Sequence, residues 1–540
     1  MKQTENVALS SFLQIFTDTL HSLEGSTNDD NKLYAISRQH NRARKRAKLD
    51  NPATANTAIQ DFVIYNDLAR AVRVDLAPEI LNEARWFIEN ALCGFTSQQK
   101  FAIQEPLDMN LFLSLWRYGP GASRGTKSTH FVDKINDKVH TVSDASVARL
   151  YRMALSLDPY VRGSIACNSG PEFRFCDTSS ISTVSKNEDT DRTICTEPLG
   201  NMALQLAAGM YIEGALRYVG CDISIQASLN KQLAMLGSIF GLLSTIDLSH
   251  ASDMITLQLV SVLWPRGWTW LFNLLRSKKT KLPSGEVIEL NMLSTMGNGF
   301  TFPMMTLTLL SLVYANARVN GGPRYLNKDT HAVFGDDIIV PSTESESLLH
   351  VLKGAGLIVN NDKSYTSGPF RESCGGDYYK GYDVTPVYVK SLNNDSEIYV
   401  AINQLLKWSS KHKIMLYQPL DFLIKLLKGQ VLLVPEWEDT SSGILTLSCS
   451  RRYKYLKRKP YIKNRKDSKY IMSCVLGGYG YSASEGISYN LRQNLKKATN
   501  DDYYVVKARL PKGYLDGYCP TYRTMEEAAF SDRQLGIIRG

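Results

Sequence analysis

Cysteine is scarce in this sequence, nine in 540 residues, with no Cys-x-x-Cys pair and no histidine spaced to join one. That excludes a disulfide framework and a cysteine-based zinc module, and it fits a reducing compartment. No repeat of fixed period and no low-complexity linker is present, which excludes solenoid and propeller architectures. The N-terminus, MKQTENVALSSFLQIF, has no long apolar run ending in a small-residue cleavage site, so no secretion signal is expected. One segment imitates a membrane span. Leu290 to Ala317 carries no charge, yet it holds Asn291, Asn298, Thr301, Pro303, Thr306, Thr308, Ser311 and Asn316. A lipid-facing helix would carry that polar load at a cost, and the segment is read as a loop leading into a buried helix. No membrane association is expected.

Hydrophobic residues make up 44% and charged residues 21%, ordinary values for a folded chain long enough for several lobes. The net charge of +9 is unevenly spread: residues 401–540 hold 24 Lys and Arg against 12 Asp and Glu, leaving −3 for residues 1–400. Such asymmetry points to a polyanion partner, nucleic acid or an acidic surface. Within the tail, Arg451, Arg452, Lys457 and Arg458 alternate with tyrosines, a composition suited to phosphate pairing and base stacking on a single strand, or else to a solvated face. A second basic run, Arg42 to Lys48, is compatible with a helix and open to the same two readings.

The middle of the chain parses into elements. Gly241 to Ile246 reads as a buried strand ending at Asp247, and Ser249 to Trp264 has helical spacing. Thr301 to Arg318 reads as a long helix, and Ala332–Phe334 and Ile338–Val340 flank Gly335-Asp336-Asp337 as a tight hairpin. Thr343 to Glu346 has capping-box spacing before a helix that Gly354 and Gly356 would end, and Leu357–Val359 makes another strand. The order is β-α-β-β-α-β, the ferredoxin-like split motif, in an α+β chain.

A sheet pairing the first strand with the hairpin would crowd Asp247, Asp336 and Asp337 at one edge. Neighbouring carboxylates repel one another unless divalent cations neutralise them. Oxygen ligands without histidine or cysteine favour two Mg²⁺ ions, with Mn²⁺ also suitable. Asp253, six residues after Asp247, is either a further ligand or sugar contact or a helix cap. Between the acids lies Ser294-Thr-Met-Gly297-Asn298-Gly-Phe-Thr301, where glycines allow close backbone approach and hydroxyl and amide groups can read a ribose.

Asp247-x5-Asp253, Ser294 to Thr301 and Phe334-Gly-Asp-Asp337, in that order, resemble motifs A, B and C of RNA-dependent RNA polymerases. DLSHASD, STMGNGFTF and GPFRESCGGDYYKGYDVTPVYVK resemble more narrowly the replicase β subunits of the single-stranded RNA bacteriophages, the leviviruses of Qβ type, over about residues 115 to 395. The resemblance implies a right-hand polymerase of fingers, palm and thumb with a ferredoxin-like palm. Residues 1–225 would be the N-terminal region and fingers, 226–395 the palm with a fingers insertion around 265–290, and 396–540 the thumb and basic C-terminal region. It implies metal binding by Asp247 and Asp336 with Asp337 in support, and a motif D role for Lys363 in protonating the leaving pyrophosphate. Val184 to Asn187 and Asp191 to Pro198 resemble motif F, which implies triphosphate contacts for Lys186 and Arg192. Phe334 stands where the common motif has tyrosine, and the motif A spacing exceeds that of many eukaryotic viral polymerases by one. Ser294 and Asn298 are therefore the stronger candidates for reading the 2′-hydroxyl.

Gly119 to Ser128 looks like a phosphate loop, but Thr126 breaks the contiguous Gly-Lys-Ser/Thr that such a loop needs. It resembles a Gly-Ala-Ser segment of the phage replicases, a candidate template or nucleotide contact. By resemblance the chain copies a phage genome from an RNA template and nucleoside triphosphates without a primer, in the cytoplasm of a bacterial host. Its implied partners are elongation factors Tu and Ts and the largest small-subunit ribosomal protein. Two other functions share some of these features. A reverse transcriptase has the same acids, though the Ser294 to Asn298 segment argues against it, and a non-catalytic RNA-binding or translational-repressor protein needs only the basic tail.

Overall fold

The computed structural model describes residues 2–47, 54–99, 105–119, 121–126, 134, 137–157, 171–185, 191–428, 431–434, 440–441, 443–446 and 525–539. By its contacts the chain divides into two compact units, Met1–Asp50 with Val384–Gly540, and Asn51–Asp383. The fold is mixed α and β.

The discontinuous unit begins with two helices, α1 (Lys2–Glu24) and α2 (Asp30–Ala47). Phe12, Phe16 and Leu20 of α1 and Ala35, Ile36 and Ala43 of α2 are buried. Arg42, from the basic run, lies 4.9 Å over the Tyr388 ring within the same unit, whereas Arg44 and Lys45 are exposed. The run is thus split between packing and solvent.

In the second unit, α3 (Thr54–Ala71) and α4 (Pro78–Ser97) precede a parallel pair, β1 (Val139–Val142) and β2 (Glu172–Phe175). β3 (Thr178–Ser185) and β4 (Asp191–Thr196) form an antiparallel ladder. The helices α5 (Leu199–Tyr218) and α6 (Ile223–Phe240) follow. Residue 241 closes α6, its N–H donating to the Gly237 carbonyl, so the expected strand starts two residues later, as β5 (Leu243–Ile246).

The expected helix from Ser249 is the main correction. Leu248–Ser249 forms a short strand, β6, a turn follows with His250 at φ +50°, and the helix α7 covers only Leu257–Leu263. Thr256 caps it by accepting a hydrogen bond from the Leu259 N–H at 3.1 Å, and the Ser and Asp side chains ahead of it favour turns over a helix interior. α8 (Arg266–Leu275) comes next, then β7 (Lys279–Lys281) and β8 (Val287–Glu289), which extend the earlier ladder into a sheet ordered β4-β3-β7-β8.

The uncharged segment becomes a loop followed by α9 (Thr301–Val319), of whose 19 residues 16 are buried. Several of its buried hydroxyls are paired inside the protein. The Thr306 and Thr308 hydroxyls donate to the Phe302 and Met304 carbonyls, each at 2.8 Å, and Trp264 Nε1 donates to Thr308 Oγ1 at 3.0 Å. Buried polar groups with partners cost little. Among the described residues no helix is long and apolar enough to cross a membrane.

β9 (Ala332–Phe334) and β10 (Asp337–Pro341) then form the hairpin, α10 (Ser345–Gly354) follows, and β11 (Ile358–Val359) returns. The capping box expected at Thr343 does not form. A 3-10 turn over Ser342–Glu344 leads into α10, and no side chain caps its start. β5, β10 and β9 make one antiparallel sheet in that order, and β11 pairs with β6 beyond Asp247. α6 covers this sheet, with Leu233 and Ala234 packed among Leu243, Ala332 and Ile339. Each buried leucine or isoleucine there contributes about 1.5–3 kcal/mol and each alanine less, which fixes the sheet beneath its carboxylate edge. A further antiparallel sheet joins β12 (Phe370–Ser373), β13 (Gly376–Tyr379) and β14 (Tyr382–Asp383). In the discontinuous unit, α11 (Asp395–His412), α12 (Tyr417–Leu426) and α13 (Met525–Arg539) complete the described helices that bear on the packing, with Ser409 Oγ donating to Gln534 Oε1 at 2.6 Å.

Candidate active site at a carboxylate edge

Register brings the acids together. Ile338 of β10 pairs with Ile246 of β5, so one further step sets Asp337 opposite Asp247. Asp337 also closes the hairpin against Phe334, leaving Gly335 and Asp336 as the two turn residues. Gly335 has φ +61°, and a Cβ there would lie 2.6 Å from the Phe302 ring. The turn therefore requires glycine on both conformational and steric grounds.

Asp247 occupies the break between β5 and β6. Its N–H donates to Ser364 Oγ at 3.1 Å, its carbonyl accepts from the Asn360 N–H at 2.9 Å, and its Oδ2 accepts from Asn360 Nδ2 at 2.9 Å. Burial, then the Asp336 charge and more weakly that of Asp337, push its carboxyl up to about 6, against the opposing pull of Lys363 and the Asn360 hydrogen bond. Asp337 is also raised, chiefly by burial, although its Oδ1 accepts from the Cys374 N–H at 2.9 Å and Ser373 Oγ at 3.2 Å. Lys363 sits exposed on a 3-10 turn over Asn361–Lys363. The donor set is oxygen only, and its mutual repulsion is what a divalent cation relieves. In donor chemistry Asp247, Asp336 and Asp337 are the oxygen ligands a hard cation prefers.

Asp253 is 4% exposed, accepts from Ser252 Oγ at 3.2 Å and faces His250 Nδ1 at 3.6 Å. It does not cap α7, a role taken by Thr256. The Ser294 to Asn298 loop is packed against β4. Asn298 Oδ1 accepts from the Thr295 N–H at 2.8 Å and from Thr295 Oγ1 at 2.9 Å, and its Nδ2 donates to Glu197 Oε1 at 3.1 Å. Gly297 has φ +125°, and a Cβ there would lie 2.1 Å from the Cys195 carbonyl oxygen. The Ser294 hydroxyl is buried with no hydrogen-bond partner among the described residues. Such a group costs about 1–3 kcal/mol when left unpaired.

Arg192 projects from β4 as an exposed residue opposite Val184. Lys186, Arg451, Arg452, Lys457 and Arg458 lie outside the described residues. In the Gly119 to Ser128 segment, Arg124 is turned inward, its guanidinium donating to the Ser179 carbonyl and its backbone bridging to Pro198.

Sequence reasoning passed over two groups. Asn360, one residue past β11, holds the Asp247 carboxylate; its place after a short strand was the available signal. Glu197, inside the Asp191 to Pro198 span, is fully buried, and burial pushes its carboxyl up to about 7 against hydrogen bonds from Ser277, Gln205 and Asn298. Ser277 Oγ donates to its Oε2 at 2.6 Å.

A second group of ligand-type side chains lies in the other unit. His21, Glu24 and His40 place one ligand atom each within 4.8 Å of one another.

What these observations define is a mixed α/β chain that gathers three carboxylates at the edge of an antiparallel sheet. The RNA replicase, beta-chain family model matches residues 87–438, more than half of the sequence, and the chain belongs to that family. It is 40% identical over 229 residues to the RNA-directed RNA polymerase subunit beta of Escherichia virus Qbeta, covering 42% of this chain and 38% of that protein. It is 34% identical over 335 residues to the RNA-directed RNA polymerase beta chain of Enterobacteria phage fr, covering 61% of this chain and 58% of that one. The chain thus spans about half the length of the curated relatives it matches. A solved RNA-dependent RNA polymerase of a human picobirnavirus aligns over 78% of this chain and 85% of that chain at 12% identity and a TM-score of 0.47, a likeness too loose to carry an argument.

Proposed function

We propose that the chain is an RNA-directed RNA polymerase that replicates a positive-strand RNA phage genome by two-metal nucleotidyl transfer, starting without a primer. The observation that carries the reading is the convergence of Asp247, Asp336 and Asp337 on one sheet edge, in a strand order of β11-β6 and β5-β10-β9 that suits a ferredoxin-like palm. On this reading residues 226–395 are the palm of a right-hand polymerase, 1–225 the N-terminal region and fingers, and 396–540 the thumb and basic C-terminal region.

In the reaction, the 3′-hydroxyl oxygen of the growing strand bonds to the α-phosphorus of a nucleoside triphosphate, the bond from that phosphorus to the oxygen bridging to the β-phosphate breaks, and the hydroxyl proton passes to solvent water. Two Mg²⁺ ions, or Mn²⁺, held by the three aspartates would supply charge neutralisation for attacking and leaving oxygens. Asn360 orients Asp247, and the Cys374 N–H and Ser373 hydroxyl orient Asp337. Lys363 gives its proton to the departing pyrophosphate. Lys186 and Arg192 bind the triphosphate, and the unpaired Ser294 hydroxyl, with Asn298 and Gly297 in the same loop and Asp253 nearby in sequence to Asp247, reads the ribose. The basic tail holds RNA, and elongation factors Tu and Ts and the largest small-subunit ribosomal protein are the host partners, in the bacterial cytoplasm.

The test is incorporation of labelled ribonucleotides on an RNA template with Mg²⁺, wild type against Asp336→Asn, each co-purified from a bacterial host. Removing one carboxylate should lower the rate by about 10³-fold or more, the several kcal/mol that metal-held charge stabilisation is worth, while RNA binding persists. Equal inactivity of both, with intact folding and bound host proteins, would favour an RNA-binding function.

A further inference from the structure

We propose that His21, Glu24 and His40 form a zinc site that clamps α1 to α2. The three residues precede residue 87, where the family match begins, and they share no side chain with the carboxylate edge. His21 and Glu24 stand one turn apart at the end of α1, and His40 comes from the facing side of α2. Both imidazoles direct Nδ1 at the same carboxylate oxygen, Glu24 Oε2, at 3.7 Å from His21 and 3.0 Å from His40.

Those separations are the argument. Zinc holds nitrogen and oxygen ligands at about 2.0–2.2 Å in a tetrahedron, which sets neighbouring ligand atoms roughly 3.3 Å apart. The two observed distances bracket that value, and all three ligand atoms fall within 4.8 Å of one another, so sub-ångström to ångström side-chain shifts complete the set. Two histidines and one glutamate are a known donor combination for zinc, which then keeps one further position for water. The imidazoles select against Mg²⁺, which prefers oxygen ligands.

The partners differ in exposure in a way that suits capture. The His40 side chain is 11% exposed and that of Glu24 25%, whereas the His21 side chain is 80% exposed. The first two are positioned by the helix pair, and His21 is free to close over an arriving ion. The two rings already lie 5.7 Å apart between centroids. Bound zinc would tie the end of the first helix to the middle of the second, across the turn at residues 25–29.

The test is zinc binding by the full-length, untagged chain, followed by calorimetry and by the visible absorption of Co²⁺ substituted for zinc, with excess Mg²⁺ present throughout. One zinc per chain, tetrahedral Co²⁺ absorption and a zinc-dependent rise in Tm are expected. His21→Ala, at an exposed position where folding should survive, should weaken zinc binding by at least about 100-fold and abolish both the absorption and the Tm rise. His350→Ala, also an exposed histidine, and Asp336→Asn should leave all three unchanged. Wild-type zinc binding that His21→Ala does not weaken, or no zinc binding by the wild type, would overturn the proposal. Because none of these readouts is polymerisation, failure here and failure of the proposed activity are separable.

Discussion

Two carboxylates in the second unit, the half-buried Asp247 and the fully buried Glu197, are both pushed upward, to about 6 and about 7, and desolvation leads in both. Their surroundings differ. Glu197 is enclosed, and hydrogen bonds from Ser277, Gln205 and Asn298 oppose the shift. Asp247 faces two further carboxylates and a lysine at the sheet edge. A raised carboxyl therefore does not mark a reactive site by itself. The closed group ties β4 to the Ser294 to Asn298 loop, and the open group leaves a repulsion that a cation can relieve.

The comparison sharpens most in stability against pH. A folded-state carboxyl raised above its unfolded value keeps its proton longer in the folded chain, so its contribution is largest at low pH and is lost as pH rises through the folded value. For Glu197 the window runs from 4.5 to about 7, a loss of about 3 kcal/mol at 1.36 kcal/mol per unit. For Asp247 the window runs from 3.8 to about 6. In chemical unfolding at a series of pH values, Glu197→Gln should remove the first slope and leave the second. Added Mg²⁺ should stabilise wild type and Glu197→Gln alike above pH 6, and Asp336→Asn much less. Equal Mg²⁺ stabilisation of Asp336→Asn would break the distinction between the open and closed groups.

Much of the open site was legible because its determinants are local. Asp336 and Asp337 sit between two β-type runs, and Asp247 ends a short apolar one, so strand pairing alone assembles them. What stayed hidden depends on tertiary contact. Ser249 to Trp264 has helical periodicity, yet β11 captures Leu248 and Ser249 as a strand and Thr256 delays the helix. Glu197 lies about a hundred residues from Asn298 in sequence, and no spacing rule announces that hydrogen bond. Asn360 is likewise joined to Asp247 only through the pairing of β11 with β6.

The closed region can be broken without touching its charge. Gly297→Ala would force a side chain into a left-handed backbone and set its Cβ 2.1 Å from the Cys195 carbonyl oxygen. A clash with backbone cannot be relieved by a rotamer change. We expect a loss of about 2 kcal/mol or more in stability, read as a lower denaturation midpoint, with ribonucleotide selectivity relaxed as the loop moves. A stable, fully selective Gly297→Ala protein would show that the loop is not seated by this approach.

The open region is disturbed most gently at Asn360, whose Nδ2 donates to Asp247 Oδ2. Removing one hydrogen bond to a charged group costs about 1.5–3 kcal/mol where the partner is left unmet, but Asp247 also has cation contacts to draw on in the proposed reaction. Asn360→Ala should therefore lower the incorporation rate about tenfold, far less than Asp336→Asn. It should also raise the Mg²⁺ concentration needed for half-maximal rate, because the carboxylate is no longer held in place. Asn360→Asp separates positioning from charge: it restores a side chain of the same shape but adds a fourth acid, so it should shift the acidic limb of the pH–rate profile to higher pH. A profile identical to wild type would mean that Asn360 supports the backbone of β6 and β11 without positioning the Asp247 carboxylate.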